Sequence, residues 1–289
     1  MFSVIKRLAA LMVCILVCLL SIVTSVSKTE THATLAFVSD RAGKKQIYLL
    51  DPVTKSLNLF SKFSDENFQP VWSGNQGIIF VSNPAPLRVS LHTIGERSAQ
   101  TLNTELAYNQ YEPDWSSNGF FAVAANPELN WDILLYDSAN VPYSLPFNSP
   151  SNEFEPSWCN DSQLTFVSDR TGDNEIYLYD FSTSRLINLT NYPGSDYNPA
   201  CSEDGKLAFT SIRNFNTEVY VMSLKTGEIH NVTHNSANEF LPAWVSDSVL
   251  SFVSDRDGNR EIYVMDLQSG ILTNITQNPA DDEQPSWSH

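Results

Sequence analysis

The residues that could do chemistry in this chain recur at a fixed spacing. Three residues before each of six prolines stand Asn67, Gln110, Glu153, Asp196, Glu239 and Asp282. Directly before the same prolines stand Gln69, Glu112, Glu155, Asn198, Leu241 and Gln284. If the six copies surround one opening, Glu112, Glu153, Glu155, Asp196, Glu239 and Asp282 form an acidic ring at its mouth. Like charges about 10 Å apart repel by roughly 0.5–1 kcal/mol per pair at intermediate effective dielectric. Such a ring would draw in a Lys- or Arg-bearing protein segment or a divalent cation, with electrostatic steering of the approach. The plainer reading is that acids solvate surface loops.

Other constellations carry less. His230 and His234 have the spacing of helical metal ligands, but the region reads as strand and loop and offers no third ligand. Turns of the form Asp-Arg-x-Gly (Asp40–Gly43, Asp169–Gly172, Asp255–Gly258) are too short for an EF-hand. They read as structural turns in which Arg170 pairs with Glu175 and Arg256 with Glu261. No Gly-x-Ser-x-Gly elbow supplies a nucleophile. No metal site, cofactor or catalytic residue is assigned, and a divalent cation in the channel is left open.

Charge excludes a class. With 33 acidic against 17 basic residues the net charge is −16, and nucleic-acid binding needs the opposite. An anionic membrane surface is disfavoured for the same reason. Lys6 and Arg7 precede an apolar run from Leu8 to about Val23, followed by Ser25-Val26-Ser27. Residues 1–27 therefore read as a secretory signal, with an uncleaved anchor as the alternative. The expected location is periplasmic or secreted, touching a membrane only through that segment. Cys14 and Cys18 would leave with it. Cys159 and Cys201 would remain, in an oxidising compartment.

The elements that position these residues follow from the period. Pro70, Pro113, Pro156, Pro199, Pro242 and Pro285 are 43 residues apart throughout. Two residues after each stand Trp72, Trp115, Trp158, Cys201, Trp244 and Trp287. Tyr48, Tyr177, Tyr220 and Tyr263 share the same period. A repeat near 43 without helical pattern predicts blades of four strands. The first recognisable strand (34–39) is a second strand, and the chain ends on a first strand (285–288). The expectation is a six-bladed β-propeller with four-stranded blades of about 43 residues, filling residues 28–289 as a single domain. The C-terminal strand would complete the N-terminal blade. Second strands read as alternating, and the Trp and Tyr columns read as blade-to-blade core. The Trp column lapses at Cys201, and its neighbouring column gains Cys159 one blade earlier. A disulfide between them is expected, with two buried free thiols as the alternative.

The units Pro-x-Trp-Ser, Phe-Val-Ser-Asp-Arg-x-Gly, Glu-Ile-Tyr-Val-Met-Asp and Asn-Leu-Thr resemble the TolB-type (WD40-like) propeller repeat. The resemblance covers about residues 34–288. It is strong in blades one, four and six, fair in five, and weak in two and three, where Phe80–Pro84 and Ala122–Asn126 replace the consensus. Ser90 and Leu134 fill the Tyr column there. It extends to the propeller portion alone, without the N-terminal α/β domain of that family. It implies a binding platform of the bacterial cell envelope; with the acidic mouth, the expected partner is a protein or basic peptide segment, and the expected state is a monomer. Related repeats also occur in peptidases and lyases, so a propeller enzyme acting on carbohydrate or peptide through channel carboxylates is the alternative.

Overall fold

The computed structural model describes residues 33–61, 66–73, 77–82, 88–93, 100–101, 109–126, 130–137, 141–143, 145–213 and 215–288. The expected signal at 1–27 lies outside them. Among the described residues no helix is long and apolar enough to cross a membrane.

The chain is all β. In order it forms β1 (Leu35–Ser39), β2 (Gln46–Leu50), β3 (Leu57–Leu59), β4 (Asn67–Ser73), β5 (Gly77–Ser82), β6 (Arg88–Thr93) and β7 (Gln100–Thr101). Next come β8 (Gln110–Trp115), β9 (Phe121–Ala125), β10 (Asp132–Tyr136), β11 (Pro142–Tyr143), β12 (Glu153–Asn160), β13 (Gln163–Ser168), β14 (Glu175–Asp180) and β15 (Arg185–Asn188). The rest are β16 (Asp196–Cys201), β17 (Lys206–Ser211), β18 (Glu218–Ser223), β19 (Ile229–Asn231), β20 (Glu239–Ser246), β21 (Val249–Ser254), β22 (Glu261–Asp266), β23 (Leu272–Asn274) and β24 (Asp282–Trp287).

Each sheet is an antiparallel meander: β4–β7, β8–β11, β12–β15, β16–β19 and β20–β23, with β24 beside β1–β3 in the order β24-β1-β2-β3. The innermost strands β24, β4, β8, β12, β16 and β20 touch their neighbours in turn and close on themselves. The expectation of a six-bladed propeller needs correction. Continuous chain makes five blades; the remaining sheet is composite, drawn from both ends of the described residues. Two of the five are imperfect copies, with outermost strands β7 and β11 of two residues each. In sequence these blades lack the Asp-Arg-x-Gly turn and the Tyr column.

The second strands differ from the expected alternation. β1 and β9 are buried at every position, and β13, β17 and β21 at all but the first. Each sheet is covered on both faces by its neighbours, so both faces are core. Small hydroxyls are admitted because they bond locally: Thr165 Oγ1 donates to the carbonyl of Ser157 at 2.9 Å. Phe–Tyr pairs from strands two and three recur, as Phe166–Tyr177 at 5.9 Å and Phe209–Tyr220 at 5.7 Å.

The innermost strands all carry a bulge. In β4 the register runs Phe68↔Val81 and then Val71↔Ile79, so Gln69-Pro70 form the interruption. The same break follows Tyr111, Phe154, Tyr197 and Phe240. Proline lacks the N–H that the ladder needs. The residue before it turns left-handed: φ is 52° at Gln69, 53° at Glu112, 51° at Glu155, 50° at Asn198, 52° at Leu241 and 57° at Gln284. Residues preceding proline ordinarily stay extended. A non-glycine there is held against a strain of roughly 1–3 kcal/mol.

Candidate functional site

The bulges aim their side chains along the central channel, which has a volume of about 580 Å³. Its wall is the six copies of x-Pro-x-Trp or x-Pro-x-Cys, from Gln69–Trp72 round to Gln284–Trp287. Four side chains at the bulge reach across to the next sheet. Gln284 Oε1 accepts the N–H of Gln69 at 2.7 Å, and Gln69 Oε1 that of Glu112 at 2.9 Å. Glu112 accepts the N–H of Glu155 at 2.8 Å. Glu155 accepts both the N–H of Asn198 at 2.5 Å and its side-chain amide at 2.7 Å. The series stops at Leu241, which has no acceptor; its own N–H donates to Thr210 Oγ1 at 3.2 Å.

Of the six acids expected at the mouth, only Glu112 and Glu155 line the channel. Glu153, Asp196, Glu239 and Asp282 are fully buried at the starts of β12, β16, β20 and β24. Each meets an arginine: Arg170 at 2.8 Å, Arg213 at 3.0 Å, Arg256 at 2.8 Å and Arg41 at 2.8 Å. Those arginines come from the turns between second and third strands. Their guanidinium groups also lie over rings, as Arg256 over Tyr263 at 4.6 Å and Arg170 over Tyr177 at 4.7 Å. Burial pushes the carboxyls of Asp196, Glu239 and Asp282 up, and serine and arginine donors oppose it. A buried acid needs such a partner. The four are buried and paired, and none of them lines the channel.

The expected pairs Arg170–Glu175 and Arg256–Glu261 are therefore replaced. Glu175 accepts the Thr190 hydroxyl at 2.5 Å and the N–H of Tyr192 at 3.1 Å. Glu261 accepts the Thr276 hydroxyl, and the N–H of Asn278 at 2.7 Å.

Asp114, from the x of Pro-x-Trp, adds a third carboxyl to the channel wall. It accepts the N–H of Trp158 at 2.5 Å. Burial pushes it up to about 7 despite the N–H donors of Trp158 and Trp115 and the Ser157 hydroxyl. Burial also raises Glu112 and Glu155, and the charge of Glu112 raises Glu155 further. Among the described residues no Lys, Arg or His lines this channel. Sequence reasoning missed Asp114. The signal was available: it is the one acid in a column otherwise Val71, Ser157, Ala200, Ala243 and Ser286.

The Trp column bridges sheets. Trp72 Nε1 donates to the Ser286 carbonyl at 3.2 Å, Trp244 Nε1 to that of Ala200 at 2.9 Å, and Trp287 Nε1 to Ser251 Oγ at 2.8 Å. Each bond runs to the preceding sheet. Cys201 stands where the Trp would be and is joined to Cys159 of the preceding sheet, with Cα atoms 4.8 Å apart. The disulfide occupies the place of the indole bridge. Among the described residues no group of three His, Cys, Asp or Glu could hold a metal ion.

Four-stranded sheets set round a channel lined by their first strands define a β-propeller. A family model described as the TolB beta propeller domain matches residues 134–289, just over half of the chain. The chain belongs to that family. Among solved structures, TolB from Acinetobacter baumannii is similar at a TM-score of 0.79 and 18% identity, over 89% of this chain and 66% of that one. The chain thus spans just under two thirds of that protein's length. The putative TolB from Agrobacterium tumefaciens is similar at 0.69 and 17%, over 84% and 88%. Oligogalacturonate lyase from Vibrio parahaemolyticus is similar at 0.58 and 14%, over 83% and 73%. At these identities the likeness is one of fold. No curated protein matches.

Proposed function

We propose that this chain is a non-catalytic binding protein of the cell envelope, exported by its N-terminal segment, that takes a basic segment of a protein partner into its channel. The carrying observation is that Glu112, Asp114 and Glu155 line a channel whose wall, among the described residues, has no basic side chain. An incoming Lys or Arg would supply the opposite charge that burial leaves these carboxyls without. A divalent cation is the smaller occupant with the same chemistry. The enzyme alternative is carried less far, because each of these carboxyls already accepts a backbone N–H from the neighbouring sheet.

The half-buried Trp72, Trp115 and Trp158 line the same channel and supply a fluorescence signal. A tetra-arginine peptide should bind saturably, more tightly at pH 8 than at pH 6, and a tetra-glutamate peptide should not bind. Glu112→Gln, Asp114→Asn and Glu155→Gln together should weaken the arginine peptide at least tenfold. If the triple variant keeps the parent affinity at low salt, the reading is wrong.

A further inference from the structure

At and beside the blade β16–β19, three surface positions depart from their counterparts in the sister repeats. Ile212 stands where Asp40, Asp169 and Asp255 stand in three sister turns. Phe215 stands at the Gly43, Gly172 and Gly258 position, and Tyr192 at the Ser149, Asn235 and Asn278 position. A polar or small residue has become apolar each time, and each is exposed, Phe215 entirely so.

None of the three is needed for the local fold. In the sisters the aspartate accepts a backbone N–H of the adjoining loop, as Asp169 does from Asn152 at 2.8 Å and Asp255 from Asn238 at 2.8 Å. Ile212 gives that bond up and keeps only the backbone link from its N–H to the Ser195 carbonyl at 3.0 Å. Phe215 holds φ at 75°, where its sister glycines sit at 87°, 113° and 96°. A β-carbon in that region carries strain that glycine avoids. The backbone N–H of Tyr192 bonds Glu175 just as that of Asn235 bonds Glu218, so its ring is additional. The two loops are pressed together: a β-carbon on Gly194, at φ 118°, would meet the Ile212 carbonyl oxygen at 2.7 Å. Exposed apolar residues on two adjoining loops, kept against local bonding and local strain, mark an interaction surface.

The surroundings decide the kind of partner. Arg213, between Ile212 and Phe215 in the chain, is covered by the Tyr192 ring at 4.7 Å and neutralised by Asp196. Asp173 borders the Gly194 loop and accepts its N–H at 3.2 Å. The chain as a whole carries −16. Like charge disfavours a second copy of this chain and an anionic bilayer, and favours a cationic protein.

We propose that Tyr192, Ile212 and Phe215 form a docking surface for a partner protein that presents an apolar side chain flanked by Lys or Arg. This surface is separate from the channel, whose lining includes none of the three residues, so a channel variant serves as the control that tells the two readings apart.

The test selects a phage-displayed library of random 12-residue peptides on the full chain, with counter-selection on a Tyr192→Asn/Ile212→Asp/Phe215→Gly variant. Enriched peptides should carry an aromatic or aliphatic residue between basic ones. By fluorescence polarisation such a peptide should bind the variant at least tenfold more weakly than the parent, and Glu112→Gln/Glu155→Gln as tightly as the parent. The triple variant should melt no lower than the parent, because it restores the residues of the sister blades. Should it fail to fold, Phe215→Gly alone replaces it, with at least threefold weakening expected. The proposal is overturned if no basic-apolar peptide distinguishes parent from variant, or if the peptide is lost with the channel carboxyls. It is equally overturned if the parent sediments as a dimer that the variant abolishes, or if phosphatidylglycerol vesicles bind through these residues.

Discussion

The Glu112 carboxylate accepts the backbone N–H of Glu155 at 2.8 Å, joining two sheets through residues one repeat apart. Both residues are left-handed, and both carboxyls are raised above their ordinary 4.5 by burial. The folded chain therefore holds protons that the unfolded chain releases above about pH 4.5. For acids raised on folding, this contribution is greatest below the unfolded value and falls as pH rises through the folded one. Melting temperature should drop more steeply between pH 5 and 8 in the parent than in Glu112→Gln/Glu155→Gln, and the variant should be the more stable at pH 8. Parallel curves would mean that the two carboxyls are ionised without penalty.

The buried ion pairs predict a rescue. Arg256 bonds both oxygens of the fully buried Glu239, each at 2.8 Å. Arg256→Ala should cost about 3–5 kcal/mol by urea denaturation, since it leaves an unpaired buried charge. Adding Glu239→Gln should recover at least half of that. The chain has already made this double exchange: Asn67 and Gln110 are buried and neutral at the same position, in blades whose turns carry no arginine. A double variant as unstable as the sum of its singles would contradict the pairing argument.

That correlation also shows what was legible. The 43-residue columns revealed the strands, the channel-facing prolines and the closing strand β24, because each recurs and each has one physical reason to recur. The two acidic columns looked alike in sequence, yet one is buried and one lines the channel. The bulge separates them: it reverses the backbone at Glu112 and Glu155, and a change of φ sign leaves no mark in a residue pattern. The arginine link could have been read, since acids at Glu153, Asp196, Glu239 and Asp282 accompany Arg170, Arg213, Arg256 and Arg41 in every case. The count of six followed the prolines, which keep their period through every innermost strand, whereas continuous chain completes only five blades and the remaining sheet is composite.

Closure by β24 sets a third expectation. β24 pairs with β1 through Leu35↔Trp287 and Ser39↔Asp282. Trp287 is buried and bonds Ser251 of the adjoining sheet. Trp287→Ala should destabilise by about 3–5 kcal/mol in chemical denaturation. Loss of residues 281–289 should also strip Arg41 of Asp282 and leave molten or insoluble protein. A truncated chain that melts with the parent would show that the sheet holds without its innermost strand.

The last prediction concerns the disulfide between Cys159 and Cys201, which spans 42 residues. In the chain-entropy treatment, a cross-link over a loop of that length stabilises by about 4 kcal/mol, and measured values commonly fall between 2 and 4. Cys159→Ser/Cys201→Ser should lower stability by an amount in that range, and reductant should lower the parent but not the variant. The position of Cys201 adds a sharper test. Every other blade carries Trp there, and the indoles of Trp72, Trp244 and Trp287 bond to the preceding sheet where the disulfide lies. Cys159→Ser/Cys201→Trp should therefore recover part of the loss through packing and the restored N–H bond. Its Trp fluorescence should be that of a buried indole, insensitive to reductant. If the tryptophan variant is less stable than the double serine, the two bridges are not equivalent, and the wedge between β12 and β16 is too narrow for a ring.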